Sequence, residues 1–407
     1  LNRDFIKMDS KNMFTFAKIY HAIDPDVFID THVSNGADYQ YVMTYIAPVK
    51  ERIAPSMANI QHGELIPYLE KKFIKEKIPF SPYVNLMEDV PEKGFSVFND
   101  LPRYAMGYAS LLNSISFTTE THMLKPFQDR VKSTYLFIDE VAKWTEANAK
   151  KIEKARSEAR EWEKNSTYFK FNYKLSKTDS IQKQFLGYEH QYVPSQITNQ
   201  SRLKYNENQP FDKNVAFFNR YFPADSIMIP KYFVVGAQCK EILDRLQSNQ
   251  VEIKNWDGNE IQGLKQFRIS SFTSGPRPYE GHFLHQDVSA KMVAALSLKP
   301  GDKIVPLNQK NRRFILNVLV PNAPDSYFAW NYLDSYVQQK EYFSPYVFED
   351  KAKEILEKNP SLKKTFELKK EQSEDFAKSS WSQLFYIYQN SELFEPTFHR
   401  LPIFMKY

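Results

Sequence analysis

Three short stretches carry the side chains best suited to chemistry. In the first, the turn signal Asp24-Pro25-Asp26 leads into an apolar strand, Val27-Phe28-Ile29, which runs on to Asp30 and His32 before Asn35-Gly36 turns the chain. Ligands of open α/β sheets sit at the carboxyl ends of strands, so His32 stands where an imidazole can meet a substrate. The second is Ile115-Ser116-Phe117-Thr118-Thr119-Glu120-Thr121-His122, another β-prone run with a carboxylate near its end. The third is the N-terminal Leu1-Asn2-Arg3-Asp4-Phe5. A further cation, Arg103, precedes Tyr104, and its rigid bidentate fork suits a carboxylate or a carbonyl oxygen, although a salt bridge is the commoner fate of such an arginine.

Taken in order, Asn2-Arg3, Asp30-Thr31-His32 and Ser116-Phe117-Thr118-Thr119-Glu120 resemble the M14 zinc carboxypeptidases of the carboxypeptidase A type. The resemblance implies roles for these residues. His32 would be a zinc ligand, Glu120 the general base, and Asn2 and Arg3 the holders of the substrate's terminal carboxylate. Zinc would be the cofactor, and the partner a peptide with a free C-terminus. Catalytic zinc takes three protein ligands and leaves a position open for water. The metal lowers that water's pKa and polarises the substrate carbonyl, while a nearby carboxylate shuttles the proton to the leaving amine. Asp30 would orient His32 if the strand persists that far.

The family's first two ligands form a His-x-x-Glu motif upstream of the Asn-Arg pair. None of the eight histidines here has Glu three residues on. The chain therefore reads as the C-terminal part of such an enzyme, expected to hold zinc poorly alone. The family tyrosine that covers the substrate falls, without gaps, on Phe98; Tyr104 is the nearby candidate. Counting back from Glu120 to the floor of the specificity pocket gives Ala105, a small neutral residue that argues against a pocket for charged side chains. The tail, with Lys340-Glu341-Tyr342, Tyr346-Val347-Phe348-Glu349 and Phe385-Tyr386, resembles the C-terminal extension of a bacterial M14 group. Two rival readings stand beside the peptidase. One is a zinc amidohydrolase or deacylase of the same architecture. The other is a non-catalytic peptide-binding protein that retains the fold.

Composition excludes several other classes. The net charge is only +5, from 54 basic and 49 acidic residues that are interspersed rather than massed, so no nucleic-acid partner is implied. A single cysteine, Cys239, rules out an internal disulfide framework and a cysteine-rich metal site. No apolar run approaches the roughly 18 residues that a membrane span needs. Neither Gly-x-Ser-x-Gly nor Gly-x-Gly-x-x-Gly occurs, so a serine-hydrolase elbow and a dinucleotide fingerprint are unsupported. The family resemblance leans toward a secreted or periplasmic protein, with oligomeric state left open.

The 407 residues suffice for two or three domains. The expected fold class is α/β. Residues 1–165 would form a three-layer α/β/α zinc-peptidase-like domain, 166–320 a β-rich mixed region, and 321–407 a helical C-terminal extension. Within the first, Lys11–Ile23 has helical spacing, 36–57 reads as loop, 59–77 as helix, and 135–164 as one long helix. In the second, 169–175, 227–229, 232–235 and 251–253 read as strands and 237–248 as a helix. His282 and His285 would point to opposite faces of a strand and so would not pair on a metal.

Overall fold

A computed structural model describes residues 2–407. It has the mixed helices and sheets of an α/β protein. Helix α1 (Lys11–Ile23) starts on Ser10, whose side chain accepts from the Met13 amide. It ends on Asp24 in the left-handed region, with the Asp24 amide donating to Tyr20 O. The chain then enters β1 (Val27–Ser34) and β2 (Met43–Ile46). Short α2 (Pro55–Ala58), a π-helical stretch Asn59–Leu65 and α3 (Ile66–Lys75) follow. Next come β3 (Phe80–Pro82), β4 (Asn85–Leu86), β5 (Phe95–Ser96), α4 (Ala105–Leu111) and β6 (Ile115–His122). Helices α5 (Phe127–Ala147) and α6 (Ala149–Asn165) close this half.

The first sheet has the order β1-β6-β2-β3, with β1 parallel to β6 and β6 antiparallel to β2. Alternation along the strands divides its neighbours. Ile115 and Phe117 of β6 join Leu69, Phe73, Phe137, Val141 and Ile152 from α3, α5 and α6 in one core. On the other face, Phe28 stacks edge-on against Phe16 and Tyr20 of α1, and Ser116 reaches Met106 O of α4. Helices thus cover both faces.

Beyond Asn165 run β7 (Tyr168–Leu175), the long hairpin β8 (Ile181–Pro194) and β9 (Ser201–Phe218), and β10 (Tyr221–Met228). Then follow β11 (Tyr232–Val235), α7 (Lys240–Ser248), β12 (Lys254–Asn255), β13 (Lys265–Ser274), β14 (His285–Ala294), β15 (Lys303–Pro306) and α8 (Arg312–Leu319). Helices α9 (Pro345–Lys358), α10 (Pro360–Gln372), α11 (Glu374–Lys378) and α12 (Ser380–Gln389) make a small bundle around Phe348, Phe366 and Tyr388, and β16 (Arg400–Lys406) ends the chain. The second sheet is antiparallel throughout, in the order β12-β15-β11-β16-β13-β14. One of its faces, with Phe233, Phe267 and Ile403, shares a core with α1, α4, α7 and α8.

Four local expectations change. The 36–57 stretch contains β2, whose four residues are all buried, so it shows no alternation to read. The single helix over 135–164 is two helices broken at Asn148, whose side-chain amide donates to Trp144 O. Both halves pack on the same core, which keeps the hydrophobic period continuous across the break. Residues 251–253 are not a strand; pairing begins at Lys254. The 321–407 extension is not helical throughout: apart from a short turn of helix at Asp334–Tyr336 its helices span 345–389, and β16 lies between β11 and β13 inside the sheet of the preceding region. Pro402 in a central strand disguised it; it sits where the β13–β16 ladder slips between Gln266 and Arg268, so its missing N–H costs no regular bond.

Candidate active site

Strand β1 does persist past Ile29, and that fixes the site. Asp30 and His32 lie two apart and therefore share a face. In the β1–β6 register, His32 is directly opposite Glu120 and Asp30 opposite Thr118. Neighbours in parallel strands project to the same side, so the imidazole and the Glu120 carboxyl are forced together. His32 Nε2 lies 2.7 Å from Asp30 Oδ2, and His32 Nδ1 lies 3.7 Å from Glu120 Oε1. The first contact is a hydrogen bond; the second is too long for one. Glu120 Oε2 is buried with no partner among the described residues.

These contacts set the electrostatics. Burial pushes the Glu120 carboxyl up to about 7, with a smaller lowering by His32 and a raising by Asp30. His32 is raised, chiefly by its hydrogen bond to Asp30. A third carboxylate, Asp100, was not anticipated from the sequence. It is buried, and desolvation lifts it to about 7, with Arg52 opposing and the charges of Asp30 and Asp325 adding. Its Oδ2 accepts from the Gly107 amide at 2.8 Å. A Cβ on Gly107 would sit 2.1 Å from Leu101 O, so only glycine lets the Asp100–Leu101 backbone lie this close to α4. No local signal marks Asp100, because its partner comes from the next helix.

The other expected site residues form a second cluster. Arg3 is half-exposed, 3.8 Å from Glu280, with its guanidinium 5.6 Å from the Tyr104 ring centre. Asn2 is half-buried in the adjoining turn. Burial and Tyr279 raise the Tyr104 phenol to about 12. Arg3 does not contact Glu120. The rings of Tyr83, Phe98 and Tyr104 connect the two places: burial, with the charge of Glu120 adding, raises the Tyr83 phenol, Tyr83 meets Phe98 at 6.2 Å, and Phe98 meets Tyr104 at 5.9 Å.

Arg103 is not free to bind substrate. It is buried, 2.8 Å from Asp325, donates to Pro324 O, and lies against Tyr279 and Trp330. Ala105 is packed in the main core. His122 is buried against Tyr39, His282 pairs with Asp9 and His285 with Asp334, so these imidazoles serve the fold.

A catalytic zinc needs three protein ligands. Among the described residues no group of three or more His, Cys, Asp or Glu side chains is placed to hold a metal ion. His32 has one nitrogen engaged by Asp30, and one imidazole with one carboxylate does not complete such a centre. No family model, curated protein or solved structure matches the sequence.

Proposed function

We propose that this chain carries the general-base half of a carboxypeptidase-like hydrolytic site, in a three-layer domain of the zinc-peptidase type. The observation that carries the reading is the His32–Glu120 register, with Nδ1 facing a buried carboxyl that has a free oxygen. Above its raised pKa, Glu120 takes a proton from a water molecule and returns it to the leaving amine. Asp30 holds the Nε2 side of His32 and leaves Nδ1 toward the site. His32 is the imidazole that would face zinc, but its described neighbours do not complete the ligand set, and no step is routed through a metal. Arg3, with Asn2 beside it, is the half-exposed cation available to a peptide's terminal carboxylate.

The test is release of C-terminal residues from peptides with free and with amidated ends, measured with and without added zinc alongside zinc content. Glu120→Gln should lower the rate about 10²–10⁴-fold, the range for general-base catalysis. Arg3→Ala should raise KM for free-ended peptides far more than for amidated ones. Retained hydrolysis in Glu120→Gln would defeat the reading. Peptide binding without hydrolysis would leave the non-catalytic alternative.

A further inference from the structure

A separate cavity of about 430 Å³ lies where α4, α6, β7 and α8 meet. Its volume is in the range of small-molecule sites, which combine apolar walls with a few placed polar groups. The walls are Trp162, Phe169, Phe171, Tyr173 and Leu316, and the lining cations Arg52, Lys170, Arg312 and Arg313 outnumber the carboxylates Glu51 and Glu163. Neither carboxylate neutralises Arg52. Glu51 lies 3.9 Å from Arg220, and Glu163 lies 3.6 Å from Arg313.

The arginines are used unevenly. Arg312 gives both terminal nitrogens to carbonyls at the end of α6, and its Nε is buried without a partner among the described residues. Arg313 gives its terminal nitrogens to Ser110 O and Arg52 O. Arg52 spends only Nη1, on Asn99 Oδ1 and Asp100 O. No described carboxylate forms a direct ion pair with it; burial lowers its pKa, the charge of Asp100 opposes that, and Arg313 adds repulsion. The Nε/Nη2 edge of Arg52 is therefore a bidentate donor pair that no described side chain uses, on a cation whose nearest opposite charge, Asp100, acts on it without a direct ion pair, and such an edge matches a carboxylate.

We propose that this cavity binds a small organic carboxylate, its acid group on the Nε/Nη2 edge of Arg52 and its apolar body against Trp162, Phe169 and Tyr173. The largely aromatic wall favours one acid group on an apolar body over a polyanion, which would need more of its surface met by donors. The site is distinct from the His32–Glu120 pair and does not depend on the peptidase reading.

The probe is 3-phenylpropionate, titrated calorimetrically into the full chain, with 3-phenylpropanol and phenyl phosphate in parallel. One site per chain is expected, with the alcohol at least about 10-fold weaker, since it cannot use the charged fork. Arg52→Lys keeps the charge but loses the fork and should weaken the acid about 10-fold. Arg52 also holds the Asn99 side chain and the Asp100 carbonyl, so Asn317→Trp is the second variant: it fills the cavity from α8 and should abolish binding while circular dichroism is unchanged. Absence of binding to the native chain, equal binding of acid and alcohol, or unchanged binding in folded Asn317→Trp would overturn the site. Phenyl phosphate binding more tightly than the carboxylate would overturn the assigned ligand class.

Discussion

Two histidine–aspartate pairs occupy comparable places in the two sheets. On the first sheet, His32 Nε2 lies 2.7 Å from Asp30; on the second, His285 Nε2 lies 2.8 Å from Asp334. The difference is at the other nitrogen. His285 Nδ1 lies 2.9 Å from Ser274 Oγ, and the ring is buried against Phe272 and Phe328. His32 Nδ1 has no hydrogen bond, and it faces a carboxyl whose pKa burial has raised. An oriented imidazole with both nitrogens satisfied is a structural clamp. One with a nitrogen left toward a raised carboxylate retains a capacity for chemistry. The Asp–His contact alone does not separate the two.

That contrast is open to breakage by mutation. The largest effect expected is on hydrolysis: Glu120→Gln loses about 10²–10⁴-fold in kcat, whereas Asp334→Asn changes it by less than about 2-fold. Peptide-release assays on both variants check this, and similar losses in the two would erase the distinction. The arginines should separate in the same manner. Arg103→Ala leaves Asp325 buried and unpaired and should cost about 3–5 kcal/mol in denaturant unfolding. Arg3→Ala, half-exposed, should leave stability within about 0.5 kcal/mol and act on KM. Next, His285→Ala should destabilise by about 0.5–3 kcal/mol, since it removes a buried ring packed against Phe272 and Phe328. His32→Ala should be nearly silent in the same unfolding assay.

The pH dependence gives the most discriminating effect. Glu120 has a folded pKa of about 7, above the ordinary 4.5. Its contribution to stability is therefore fully present below about 4.5 and is lost as pH rises through about 7. Asp100, also raised to about 7, contributes with the same sign from an ordinary 3.8. Unfolding free energies measured between these limits should fall less steeply in Glu120→Gln and in Asp100→Asn than in the native chain. If either slope is unchanged, that carboxyl titrates normally.

How much of this was legible in the sequence varies with the range of the interactions. Helix α1 and the β1 and β6 strands could be read because helical spacing, turn residues and apolar runs mark them locally. The pairing of His32 with Glu120 follows once both strands are placed in parallel. Asp100 could not be read, because its acceptor role depends on a loop folding over Gly107. For Arg103 a salt bridge is the favoured reading beside a substrate role, but its partner Asp325 could not be named because it lies 222 positions away. Strand β16 was hidden by Pro402, whose tolerance depends on a ladder irregularity that only the folded sheet contains.

The central claim is that His32 and Glu120 form an activated pair rather than a structural one. Titration of the Glu120 side-chain carboxyl carbon by NMR, in the native chain and in His32→Ala, tests it directly. A midpoint near 7 that rises further when the imidazole is removed is the predicted result, because His32 lowers the Glu120 pKa against the larger effect of burial. A midpoint near the ordinary 4.5, unmoved by His32→Ala, would contradict it.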